Sequence, residues 1–183
     1  MQQPLLADAG VPMIFIQWPL MLCALIPVIA VEAEVTRRQL ALPVRKAFAG
    51  AAKANIISTL AGVPLAWAIM LGVELAVLLP ASHFPRKFHW LMESPGMYLQ
   101  YVLGMAWMGP PGKSPWPIAL AAALLLIPTF FVSVFLERRS YRRSWSDLDA
   151  GAVDRSVWHA NLASYALLFT AACVWLAWLV ARS

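Results

Sequence analysis

Four long apolar runs divide the chain, at about 11–31, 47–79, 116–136 and 157–181, and the polar residues gather between them. A helix needs about 20 apolar residues to cross a hydrocarbon core of about 30 Å. Every backbone amide and carbonyl must also find a partner inside lipid, and a helix supplies those partners within one segment. The pattern therefore predicts an all-α integral membrane protein with about four transmembrane helices, arranged as two tandem hairpins. Hairpin one covers 11–80 and hairpin two 116–183, with an outer loop at 81–115, all in a single membrane domain.

The first run lacks a basic leading segment and a cleavage motif, which marks it as a retained helix and not a signal peptide. Pro19 and Pro27 lie inside it, and each removes a backbone donor and is expected to bend the helix. The second run is longer than the hydrocarbon core needs, which implies tilt or projection into the cytoplasm. Pro80 is expected to end it. Segment 97–108, MYLQYVLGMAWM, is apolar but too short to span, and Pro-Gly pairs flank it. It reads as an interfacial helix or a re-entrant hairpin.

Charge sets the orientation. Ten of the fourteen Lys and Arg residues fall in two places: Arg37, Arg38, Arg45, Lys46 and Lys53, then Arg138, Arg139, Arg142, Arg143 and Arg155. Only Arg86, Lys87 and Lys113 lie in the middle loop. The positive-inside rule assigns the two dense turns to the cytoplasm and both termini to the outside. Trp18, Trp116, Trp175 and Trp178 then fall near the outer helix ends, where indole favours the headgroup layer.

Composition agrees: 61% of the 183 residues are hydrophobic and only 13% charged, so lipid is the main solvent. The net charge of +5 is explained by the two basic turns, and nucleic acid is excluded as a partner for want of a binding motif. The expected partners are the lipid bilayer and other membrane subunits or further copies of the chain. Cys23 and Cys173 lack disulfide or metal spacing and read as buried thiols packed as small hydrophobes. An Ala- and Arg-rich, Lys-poor composition suggests a bacterial inner membrane.

The chain repeats a motif. Glu32 precedes Arg37-Arg38 as Glu137 precedes Arg142-Arg143, each with four residues between. Ala54-Asn55-x-x-Ser58 opens the second helix, and Ala160-Asn161-x-x-Ser164 opens the fourth. Glu32 to Asn55 is 23 residues and Glu137 to Asn161 is 24. Two motifs in the same order at nearly the same spacing predict a duplicated hairpin whose copies are related by an axis along the membrane normal.

Glu32, Asn55, Ser58, Glu137, Asn161 and Ser164 are thus the candidate site. An asparagine amide can donate to a carboxylate, and a nearby arginine can neutralise it. One reading is a polar clamp holding each hairpin closed. The other is a pocket, doubled by pseudosymmetry, for an ion or small polar ligand. On the second helix Gly50, Ala54, Ser58, Gly62 and Ala66 form a stripe of small side chains, suited to close packing against another helix of this chain or of a neighbour. Glu74 is a carboxylate inside an apolar stretch and a candidate for proton or cation handling, with His83, Arg86 and His89 just beyond it.

No catalytic motif is present, no metal-ligand spacing occurs, and no cofactor is expected: His83 and His89 lie outside the apolar runs and His159 at the very start of the fourth. Three classes of function remain. They are a non-catalytic subunit or assembly factor of a larger membrane complex, a small transporter or channel for an ion or small polar solute, and an enzyme acting on a lipid-linked substrate.

Overall fold

The computed structural model describes residues 13–84, 86, 87, 89 and 116–182. Four helices account for nearly all of them: α1 (Met13–Gln39), α2 (Val44–His83), α3 (Trp116–Ser144) and α4 (Ala150–Val180). No strand occurs among the described residues, and the fold is all-α. Also among them, one helix, α4, is long and apolar enough to cross a membrane.

The helices are longer than the apolar runs. α1 carries on through Glu32-Ala33-Glu34-Val35-Thr36-Arg37-Arg38, and α3 through the whole Glu137–Ser144 stretch. A helix supplies its own backbone partners in any solvent, so the end of an apolar run need not end the helix. Asn55 and Asn161 consequently do not stand in the first turns of their helices. Each lies eleven residues past the first residue, Val44 in α2 and Ala150 in α4. Glu32 and Glu137 likewise each lie seven residues before the last residue, Gln39 in α1 and Ser144 in α3. Pro80 does not end α2, which continues to His83. Proline lacks only its own N–H; its carbonyl still accepts from the Phe84 amide at 2.9 Å. α1 similarly passes through Pro19 and Pro27 and α3 through Pro128.

The chain divides into two compact units. One comprises residues 1–20, 67–123 and 172–183. Its described part includes the buried residues Ala119, Ala123 and Leu179, and Arg182 lies 4.0 Å over the Trp178 ring. The other unit, residues 21–66 and 124–171, draws a segment from every helix and contains both short turns.

The α1–α2 turn closes with Leu40 donating to the Thr36 carbonyl at 3.0 Å and Leu42 donating back to Arg37 at 3.1 Å. Ala41 takes the left-handed conformation this reversal requires, with φ of 50°, and Leu42 drops into the core. The α3–α4 turn ends with a side-chain cap: Asp149 accepts from the Ala152 amide at 2.7 Å. Lys46 pairs with Asp147 at 3.0 Å, so the two turns lie side by side.

Trp145 anchors this end of the unit. It is fully buried, stacks on Tyr141 at 4.5 Å between ring centroids, and packs with Ala47, Ala51, Ala54, Val153 and Val157. The small-residue stripe of α2 has its partner here, within the chain. A Cβ added at Gly50 would overlap Cζ2 of Trp145 and stand 3.0 Å from Cε2, while at Gly62 it would meet Val132 at 3.4 Å. Ala54 and Ser58 are buried on the same face. The side chains of Ala66 and Glu74, and all of segment 97–108, lie outside the described residues.

Cys23 and Cys173 are exposed, not packed as buried thiols. They share that setting with Leu22, Ile26 and Val174, which are also exposed.

Candidate functional site

The interior of the turn-containing unit holds an unusual set of side chains. Glu32, Thr36, Asn55, Ser58, Glu137, Ser140, Ser156, Asn161 and Ser164 are all buried. Polar groups out of water cost free energy unless each finds a partner, so the hydrogen bonds decide what this set can be.

Glu32 faces inward because α1 places it one turn from Val28 and Thr36, both also buried. Thr36 turns its hydroxyl back to the Glu32 carbonyl at 2.7 Å and leaves the Glu32 carboxyl free to point across the unit. That carboxyl takes two donors. Asn55 Nδ2, from the other helix of the same hairpin, donates to Oε2 at 2.5 Å. Ser164 Oγ, from the other hairpin, donates to Oε1 at 2.7 Å. Glu137 repeats the arrangement: Asn161 Nδ2 donates to Oε2 at 2.7 Å, and Ser58 Oγ donates to Oε1 at 2.7 Å. Each carboxyl thus takes an amide from its own hairpin and a hydroxyl from the other.

The donors are fixed in turn by their own helices. Asn55 gives its second amide hydrogen to the Ala51 carbonyl at 3.0 Å, and Asn161 gives its second to Val157 at 3.1 Å. Ser58 and Ser164 each lie 3.1 Å from the carbonyl of the asparagine three residues earlier. The Ala-Asn-x-x-Ser spacing explains this geometry. Residues three apart share a helix face, so the amide and the hydroxyl point the same way, and alanine before asparagine lets the neighbouring helix come close. The carboxyls of Glu32 and Glu137 also lie within hydrogen-bond reach of each other.

Among the described residues no arginine pairs with either carboxyl. Arg37 and Arg38 both bind Glu34, at 2.7 and 2.5 Å, on the outside of α1. Arg138 and Arg142 converge on Asp154 of α4. The side chain two positions after Glu32 therefore takes the cations, because it lies on the wet face of the helix while Glu32 lies on the dry one. Hydrogen bonds from Arg37 and then Arg38 hold the Glu34 carboxyl down at about 2. Arg142 and then Arg138 do the same for Asp154, also to about 2.

Residues that sequence reasoning passed over complete the surroundings. Tyr141 is one turn beyond Glu137 on α3, fully buried, with its hydroxyl unpartnered among the described residues. Tyr165 of α4 shares a hydrogen bond of 2.8 Å with Ser133. Both phenols are within electrostatic reach of the two carboxyls. An aromatic residue four positions after a buried polar one was the available signal, since that spacing shares a helix face. Outside this cluster His159 meets Gln39 at 3.1 Å. Among the described residues no group of three or more His, Cys, Asp or Glu side chains stands ready to hold a metal ion.

Comparison with protein-family models, with curated proteins and with solved structures gives no match.

Proposed function

We propose that the chain is a multi-pass membrane protein of two duplicated helical hairpins, serving as a non-catalytic subunit or assembly factor of a larger membrane complex. The observation that carries this reading is the saturation of the buried site. All four carboxylate oxygens of Glu32 and Glu137 accept a donor from this chain, and the four donors come from α2 and α4. Such a network ties the two hairpins together and leaves none of the four carboxyl oxygens without a donor.

The membrane reading is supported by an inverted distribution of side chains. Ile26, Ile56, Leu60, Ile127, Phe131, Leu162 and Phe169 are exposed while glutamate, asparagine and serine are buried. Water would penalise that surface and lipid would not. Two basic turns side by side suit a cytoplasmic face, with both termini and the 81–115 loop outside. In bacterial cells, cysteine labelling from outside should reach positions 84–94 and the C-terminus and spare 140–150. Labelling at 145 would reverse the orientation.

The function itself is tested by purification of the tagged chain in mild detergent. A stoichiometric membrane partner is the expected result. A chain that purifies alone and moves an ion or small solute in proteoliposomes would establish the alternative, a small transporter or channel. The direct approach of two buried carboxyls is the observation that favours that second reading.

A further inference from the structure

We propose that Glu32 and Glu137 together form a proton-binding site, holding at least one exchangeable proton between four helices. The inference goes beyond the subunit reading and does not depend on it.

The donors at the pair carry a fixed number of hydrogens. Asn55 and Asn161 each have two amide hydrogens, and both are engaged, one on a carboxyl and one on a helix carbonyl. Ser58 and Ser164 have one hydroxyl hydrogen each but two acceptors: a carboxyl oxygen at 2.7 Å and an asparagine carbonyl at 3.1 Å. With both carboxyls ionised, each serine hydrogen goes to the carboxyl oxygen, and the asparagine carbonyl keeps its helix partner alone. The two carboxylates would also face each other with no hydrogen between them. A proton on a carboxyl supplies the missing hydrogen. The acid O–H donates to serine Oγ, which donates to the asparagine carbonyl, or it donates to the other carboxyl.

Charge leads to the same place. An ion in a dry interior needs a counter-ion or it takes up a proton. Among the described residues no ion pair joins a cation to either carboxyl. On α1, Glu34 and Arg37 bind each other on the outer face. On α2, Lys53 is exposed and reaches Ser144 at 3.4 Å. On α3, Arg138 turns to Asp154, and on α4, His159 turns to Gln39. The phenols of Tyr141 and Tyr165 are within electrostatic reach of both carboxyls and carry no positive charge.

Two independent features point to the same ligand. Asn161 Oδ1 is a buried acceptor with no donor among the described residues, and the Tyr141 hydroxyl is a buried group with no partner among them. Both residues are fully buried, and both lie beside the carboxyls. An unmatched acceptor and an unmatched hydroxyl beside two acids form the surroundings of a mobile proton. Binding is a simple association, in which a carboxylate oxygen takes H⁺ and the pair loses one negative charge.

The test is infrared spectroscopy of the purified full chain in lipid nanodiscs, in H₂O and in D₂O. At neutral pH the wild type should show the C=O stretch of a protonated carboxylic acid, shifted by D₂O and lost at alkaline pH. Glu74→Gln should leave that band in place, which separates the pair from the remaining apolar carboxylate. The double variant Glu32→Gln/Glu137→Gln should lose it. If the double variant does not fold, the single variants decide: at least one must shift or lose the band. A wild type with no such band, or a band unchanged in the Gln variants, overturns the proposal.

Discussion

Ser164 of α4 gives its hydroxyl to Glu32 of α1, 132 positions earlier in the chain, across a distance of 2.7 Å. Ser58 of α2 makes the same bond to Glu137 of α3. These two bonds join the hairpins, whereas the asparagine bonds close each hairpin on itself. Ser58→Ala and Ser164→Ala should each destabilise the protein by about 1–3 kcal/mol, because a buried carboxyl oxygen loses its donor. The double variant should depart from additivity, since the two carboxyls are in contact. Unfolding in detergent measures both effects, with Ser146→Ala as an exposed control. Losses no larger than the control's would mean that the cross-hairpin bonds do not hold the hairpins together.

Gly50 and Gly62 lie on the same face of α2 but meet different neighbours. Gly50→Ala drives a methyl into the buried Trp145 ring and should cost about 1–3 kcal/mol. Gly62→Ala meets Val132 at ordinary van der Waals distance, so the better helix former should leave stability unchanged or raise it by up to about 1 kcal/mol. Melting temperatures of the two variants provide the comparison. Equal responses would contradict the close approach of α2 to Trp145.

Ala41 sits at φ of 50°, a conformation that crowds its Cβ against the following carbonyl. Ala41→Gly removes that conflict, offset in part by the extra freedom of glycine in the unfolded chain. A net gain of up to about 1 kcal/mol is expected, without change in helix content. A loss of stability on thermal unfolding would show that the turn is built otherwise.

Asp154 carries an acid-dependent contribution of known sign. Its folded value, about 2, lies below the ordinary 3.8, because Arg142 and Arg138 bind the ionised form. The stabilisation is therefore present above pH 3.8 and is lost as pH falls through about 2. The arginines are about half exposed, so screening limits the effect to under about 1 kcal/mol. Asp154→Asn should lower stability at neutral pH and flatten the stability profile between these values. The difference from wild type should also shrink in high salt. A constant offset at every pH would assign the loss to something other than charge.

Much of this arrangement was legible from residue order. Local composition marked the four helices of the described residues and the two short turns, because apolar run length and the clustering of arginine depend on no distant contact. The same holds for the candidate polar residues. Glutamate, asparagine and serine beside apolar stretches stand out by type, and Ala-Asn-x-x-Ser places amide and hydroxyl on one helix face. Helix ends were not legible, since α1 and α3 keep their backbone ladders well past the last apolar residue. Only the tertiary structure decided which donor serves which carboxyl. Bonds spanning 79 and 132 positions depend on how four helices come together, and no spacing along one helix encodes that. It also decided that Glu34 and Asp154 take the arginines while Glu32 and Glu137 face each other without them. A rotation of one or two residues around a helix separates the wet face from the dry one, and packing fixes that rotation.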